Sequence, residues 1–255
     1  MAIVALLVFL DYGVNYSEWT EIGTIRRLFN MTREDALGSW FGVTVTTLAA
    51  ASAWLVVVLA RARGLPRSRT VGWAVVGLFL TWMAVDDGAA IHERIGTAID
   101  DIREVRAEAD PAAGPGFLER FPSYTWQLLL PFFAGLGLFT VGFLWRESRN
   151  GRLRAMVVTA MGLFVFAVGL DFFEGLEPDH PWNPYSAVAS RWDFEDYTES
   201  HFGETSFDTL VHFSKVFEEA IEIVAMTLLW MVVLAHLGRY ADGVRIGVRQ
   251  GRLTV

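Results

Sequence analysis

Cysteine is absent from this chain of 255 residues. Its absence removes disulfides, thiolate metal sites, iron–sulfur clusters and cysteine nucleophiles together. Lysine is nearly absent as well. Lys215 is the only one, and it lies too near the end of an apolar run to serve as the buried lysine of a retinal site. No phosphate-cradling glycine loop and no nucleophile elbow occurs, so ATP hydrolysis is not expected. No apolar run holds a histidine at mid-depth, which speaks against a b-type haem slung between two spans. Internal repeats and a separate soluble domain are also missing.

Apolar sequence, by contrast, is plentiful. Hydrophobic residues make up 53%, and the mean hydropathy of +0.35 is high for a soluble chain of this size. Apolar stretches of roughly 18 residues or more read as membrane spans. The pattern predicts an all-α polytopic transmembrane bundle of about six spans, over 1–10, 37–60, 71–93, 124–145, 155–174 and 217–237. The first is short, with neither the basic start nor the small-residue cleavage site of a signal peptide.

Arginine sets the expected orientation. The segments after the second and fourth spans and the C-terminal tail together hold 12 Arg against two acids, Glu147 and Asp242. The rest of the chain holds 9 basic and 27 acidic residues. The positive-inside rule then puts both termini and both arginine turns in the cytoplasm. The connections 11–36, 94–123 and 175–216 face outward. Helical spacing continues past Glu93 toward Asp110–Pro111, so the third span is expected to project beyond the bilayer. The connection 175–216 is long and aromatic, as lids often are.

With that topology, three acidic clusters fall at the same ends of three spans. They are Asp86, Asp87, His92 and Glu93; Asp171 and Glu174; and Glu218, Glu219 and Glu222. Ionisable groups at membrane depth are expensive and therefore point to function. Asp86 and Glu93 share a helix face, and Asp171 and Glu174 form an i, i+3 pair. His212, Lys215, Glu219 and Glu222 fall along one stripe, with Glu218 beside it. His92 is about 120° around the helix from Asp86, so both serve one point only if the helix rotates or unwinds between them. Several carboxylates cannot share a dry site all ionised, and a divalent metal is the simplest neutraliser. Carboxylates with one or two imidazoles suit iron, manganese or zinc, and all-oxygen sets suit magnesium or calcium. The expected metal set is Asp86, His92, Glu93, Asp171, Glu174, His212, Glu219 and Glu222. Asp87 and Glu218 read as solvated or structural acids. The bland alternative pairs each acid with Arg94, Arg191 or Lys215. His180 and His201 lie in the outer connection and His236 at the inner end, and none is expected to act. Thr44, Thr46 and Thr47 read as helix-packing residues.

The segments REDALGSWF (Arg33–Phe41), DDGAAIHE and FEEAIEIVAM resemble a set of uncharacterised bacterial polytopic membrane proteins. These share an acidic pair followed by HE at the end of one span, and an EE-x2-E start on the last. Members commonly carry Asp-Glu where this chain has Asp86-Asp87. The resemblance covers most of the chain in order and implies a bacterial cytoplasmic membrane, but brings no activity with it. From the residues, the expected function is a metal-binding acidic site at the outer face, acting on a lipid-soluble or envelope substrate. A proton- or cation-coupled transporter using the same carboxylates, or a non-catalytic assembly subunit, are the alternatives. The expected partners are membrane lipid and a small lipophilic molecule, not nucleic acid.

Overall fold

The computed structural model describes residues 1–109, 121–242, 247–249 and 252–254. The chain begins with α1 (Ala2–Leu10), which widens into a π-helical turn over Asp11–Tyr16, followed by the short α2 (Gly23–Phe29). Two long helices follow, α3 (Leu37–Ala62) and α4 (Arg67–Ala89), and then the polar α5 (Ile91–Ala109). A 3-10 turn (Thr125–Leu129) leads into α6 (Leu130–Glu147), which is joined by a tight turn to α7 (Gly151–Glu174). Short helices α8 (Pro184–Arg191) and α9 (Glu195–Phe202) precede α10 (Ser206–Ala241). A small antiparallel pair, β1 (Gly247–Arg249) and β2 (Arg252–Thr254), ends the described chain. The expected stop at Asp110–Pro111 and the tail residue Arg245 lie outside the described residues.

Among the described residues, five helices are long and apolar enough to cross a membrane: α3, α4, α6 with its leading turn, α7 and α10. The N-terminal helix, Ala2–Tyr16 including its π-turn, is apolar but shorter. Outward side chains on the long helices are apolar too, Leu138 being 73% and Val165 71% exposed. Water would penalise such a belt, so the helices suggest a membrane protein. At 36 residues, α10 runs about 54 Å, well beyond a hydrocarbon core of about 30 Å. Its first turns, expected as loop, are helical because Thr205 caps them, its hydroxyl accepting from the Asp208 N–H.

Helix α3 packs against α4 and α10, and α10 against α7, with α6 packed on both α7 and α4. Ala49, Ala50, Ala53 and Ala60 line the buried face of α3 and let its neighbours approach closely. Polar ties cross the bundle: Trp54 Nε1 donates to Thr81 Oγ1 at 3.0 Å, and Trp230 Nε1 to Ser52 Oγ at 3.0 Å. The main core lies toward the arginine-rich end, where Trp73 stands edge-on to Phe143 and is surrounded by Val76, Leu80, Leu144, Leu229 and Val233. Nearby, the buried Glu147 takes Arg69 at 3.1 Å and the Tyr240 hydroxyl at 3.2 Å. Toward the acidic ends the buried apolar residues thin to a small cluster of Val4, Leu7, Met31, Val216 and Ile223. The bundle is therefore closed at one end and polar at the other.

Gly72 holds the tightest approach in that core, because a Cβ there would sit 2.1 Å from Phe143 Cε2. Gly72→Ala is expected to lower stability by about 1–3 kcal/mol in detergent-based thermal unfolding, the cost of overpacking. Gly162→Ala, with nothing within 4 Å of its Cβ, is the control and is expected to be neutral or mildly stabilising. Equal effects of the two substitutions would contradict this packing.

Candidate functional site

The first part of the site is made by a break between α4 and α5. Ala90 adopts a left-handed conformation, φ 48° and ψ 45°, which an L-residue enters only at a cost. The break turns His92 back onto Asp86. One Asp86 oxygen accepts the His92 backbone N–H at 2.9 Å, and the other lies 2.8 Å from His92 Nδ1. Asp86 thereby satisfies a free amide in the first turn of α5 and fixes the imidazole together. This is the unwinding that the pair requires to meet. The His92 ring also stands edge-on to Trp126, 4.6 Å between centroids. Thr46 on α3 approaches Asp87 Oδ2 at 3.2 Å and the Gly42 carbonyl at 2.9 Å, so its hydroxyl reaches the cluster besides serving the helix.

The second part lies where the end of α7 meets α10. One carboxylate oxygen from each of Asp171, Glu174 and Glu218 lies within 4.8 Å of the others. Oxygens on opposite sides of a cation held at about 2.1–2.4 Å are about 4.2–4.8 Å apart, so this spacing admits a single ion. Gln127 Nε2 donates to Asp171 Oδ2 at 2.7 Å and orients it. Glu174 Oε1 and Glu218 Oε2 are shut off from solvent and receive no N–H or hydroxyl donor, while the Glu174 carboxyl stands within hydrogen-bond reach of Glu218 and Ser214. Gly175 permits the close passage of the preceding segment, since a Cβ there would meet Ser123 Oγ at 2.3 Å and Tyr124 N at 2.8 Å. Ser123 in turn donates to the Phe172 carbonyl at 2.8 Å.

The remaining acids surround these two parts. Lys215 is in electrostatic reach of Glu174, Glu93 and Glu218, and of Tyr124. Glu219 is in electrostatic reach of Lys215, Asp87, Glu34 and Glu93, and Glu222 of Glu219, Asp87, Asp171 and Asp86. The connection 175–205 is ordered around Asn183, whose amide donates to the Leu176 carbonyl and whose Oδ1 caps α8. That places the Tyr185 hydroxyl 2.6 Å from Ser214 Oγ, above Glu174 and Glu218. Burial, with the nearby carboxylates adding to it, pushes the Tyr185 phenol up to about 12, so it remains a hydrogen-bond donor at physiological pH. On the rim, Glu34 is held above the usual carboxylate range by partial burial and then by the charge of Glu93.

Of the acids expected to act, Asp86, Glu93, Asp171, Glu174, Glu219 and Glu222 therefore face one common region, with His92 beside Asp86. Only Asp171 and Glu174 come within ligand distance of a common point, and their third member is Glu218, which had read as structural. Its signal was its i+3 relation to Lys215 and i+4 relation to Glu222, equal to that of the favoured stripe. His212 is engaged elsewhere. Its Nε2 lies 2.9 Å from Asp11 Oδ2, and its ring stacks on Tyr16 at 4.3 Å. Asp11 is fully buried, and its other oxygen accepts from Met31 N at 2.9 Å and Asn15 Nδ2 at 3.2 Å. The pair pins α1 to α10. Asp11 and Gln127 escaped notice in the sequence because neither stands near an acidic cluster along the chain, and Glu34, though inside the REDALGSWF segment, lies far from the three clusters in sequence. His180 and His201 keep to local contacts, with Trp182 and with Tyr197 and Ser200.

The family model for a domain of unknown function (DUF8692) matches residues 1–237, the whole bundle with every residue of this cluster. The chain belongs to that family. Among curated proteins and solved structures, none matches it.

Burial works against the charged form of His92, but its hydrogen bond to Asp86 and the charges of Asp86, Glu93 and Asp171 outweigh that and hold it above its ordinary 6.5. A raised folded-state value means the pair's stabilisation is complete below about 6.5 and fades as pH rises through the folded value. His92→Gln is expected to cost about 1 kcal/mol more at pH 6 than at pH 9, read from unfolding at both. A pH-independent loss would contradict the ion pair.

Proposed function

We propose that this protein is a multi-pass membrane protein that binds a divalent cation in its acidic pocket, through Asp171, Glu174 and Glu218. The observation that carries the proposal is that three carboxylates lie within one ion's reach, with Glu174 and Glu218 set directly against each other and one buried oxygen of each receiving no N–H or hydroxyl donor. Buried acceptors left in that state are costly, and a cation satisfies both at once. An all-oxygen set favours a hard ion, magnesium, calcium or manganese, over zinc or iron(II). The arginine count supports an orientation with both termini cytoplasmic and the pocket on the outer side, in a bacterial cytoplasmic membrane.

The pocket's position at the polar end of apolar helices suits chemistry on a lipid-soluble or envelope substrate that arrives along the bilayer. A metal-bound water would be the nucleophile and Glu222 or Glu219 the base. The Asn183-centred segment, with Tyr185 over the site, would form its cover. A transport path is less well supported. Inward of Glu222 the buried residues of α10 are Ile223, Ala225, Met226, Leu229, Val232 and Val233, and they offer no polar step until His236.

Metal analysis of protein purified in detergent without chelator is expected to find about one manganese, magnesium or calcium per chain. Glu174→Gln and Glu218→Gln are each expected to weaken manganese binding at least about tenfold, and Glu177→Gln in the cover segment to leave it unchanged. Absence of bound metal, together with no uptake on titration with manganese, magnesium or calcium, would overturn the proposal.

A further inference from the structure

At the opposite, arginine-rich end, the start of α7 and the end of α10 flank an open cleft of about 330 Å³ lined by Arg149, Asn150, Leu153, Ala235, His236 and Arg239. Other arginines at this end are engaged. Arg69 holds Glu147, and Arg154 donates to the Trp145 and Ser148 carbonyls. Among the described residues, neither Arg149 nor Arg239 has a carboxylate or hydrogen-bond partner, and Arg239 only overlies the Tyr240 ring at 5.9 Å. His236 lines the same cleft and is 2% exposed. Its Nε2 lies 3.2 Å from Ser148 Oγ, while Nδ1 is buried without a partner. The cleft also meets the start of α7, a helix of 24 residues, where Asn150 takes the Arg152 N–H. The remaining first-turn amides and the helix dipole favour an anion there.

We propose that this cleft binds the phosphate group of an anionic phospholipid. Arg149 and Arg239 bracket the phosphate with charge-assisted hydrogen bonds. When the Ser148 hydroxyl donates to Nε2, Nδ1 of His236 carries the hydrogen and supplies a further donor. Leu153 and Ala235 make the wall apolar, and exposed Met231, Leu234 and Val158 continue an apolar surface along α10 and α7 that suits acyl chains. That surface favours lipid phosphate over free phosphate, and basic pockets between membrane helices are suited to such headgroups. The inference rests on the membrane reading but not on the cation at the other end.

Full-length protein in detergent is titrated with short-chain phosphatidylglycerol, short-chain phosphatidylcholine and inorganic phosphate, with binding followed by native mass spectrometry. Saturable binding of the phosphatidylglycerol is expected, with the other two at least about tenfold weaker. The exposed-residue variants Arg149→Gln and Arg239→Gln are expected to weaken it about tenfold each with unchanged thermal unfolding, and Arg61→Gln to leave it as it is. Equal binding of the two lipids, inorganic phosphate binding as tightly as lipid, or insensitivity to the two variants would each overturn the proposal. Metal content, measured on the same samples, separates failure here from failure of the cation site.

Discussion

Carboxylates from α5, α7 and α10 crowd around a single ammonium group, that of Lys215, and every other feature of the polar end answers to that crowding. Charges at this density repel one another, and partial withdrawal from water strengthens the repulsion. The protein meets the demand with several small devices. His92 is folded back onto Asp86 across a strained Ala90, Gln127 donates to Asp171, and Thr46 reaches Asp87. Asp171, Glu174 and Glu218 are left with more acceptor capacity than the protein itself supplies with donors. A bound cation completes that balance most simply.

Holding such a cluster together needs a rigid frame, and the frame lies at the far end of the same helices. The alanine face of α3, the Trp73–Phe143 contact at Gly72 and the buried Arg69–Glu147–Tyr240 group lock α3, α4, α6, α7 and α10 where no acid cluster opposes closure. Fixed there, the helices carry their acidic ends to one region some turns away. The His212–Asp11 pair and the Asn183-centred segment then close the periphery from α1 and α8. Stability and chemistry are thus divided along the helix axis, which lets the polar end tolerate strain and unpaired oxygens.

Much of this was legible in the sequence. Long apolar runs marked the helices, and arginine and acid counts sorted their ends, because both signals depend on composition rather than on side-chain direction. The helical phase also showed that Asp86 and His92 could meet only across a break. Less legible was whatever depended on pairing between distant segments. Glu218 looked peripheral to the Lys215–Glu219–Glu222 stripe, yet α7 approaches α10 on the Glu218 side. His212 looked like a further metal ligand on the Glu219–Glu222 stripe, but the π-turn of α1 brings Asp11 to it instead. The helices α8 and α9 were hidden because each is short and polar, and is held by caps rather than by an apolar face.

The central claim is that Asp171, Glu174 and Glu218 form one cation site. X-ray diffraction from manganese-loaded crystals, recorded on both sides of the manganese absorption edge, tests it directly. The account predicts an anomalous peak within about 2.0–2.4 Å of an oxygen from each of the three carboxylates. A manganese-loaded structure with no such peak, or with these side chains pointing apart into solvent, would contradict it.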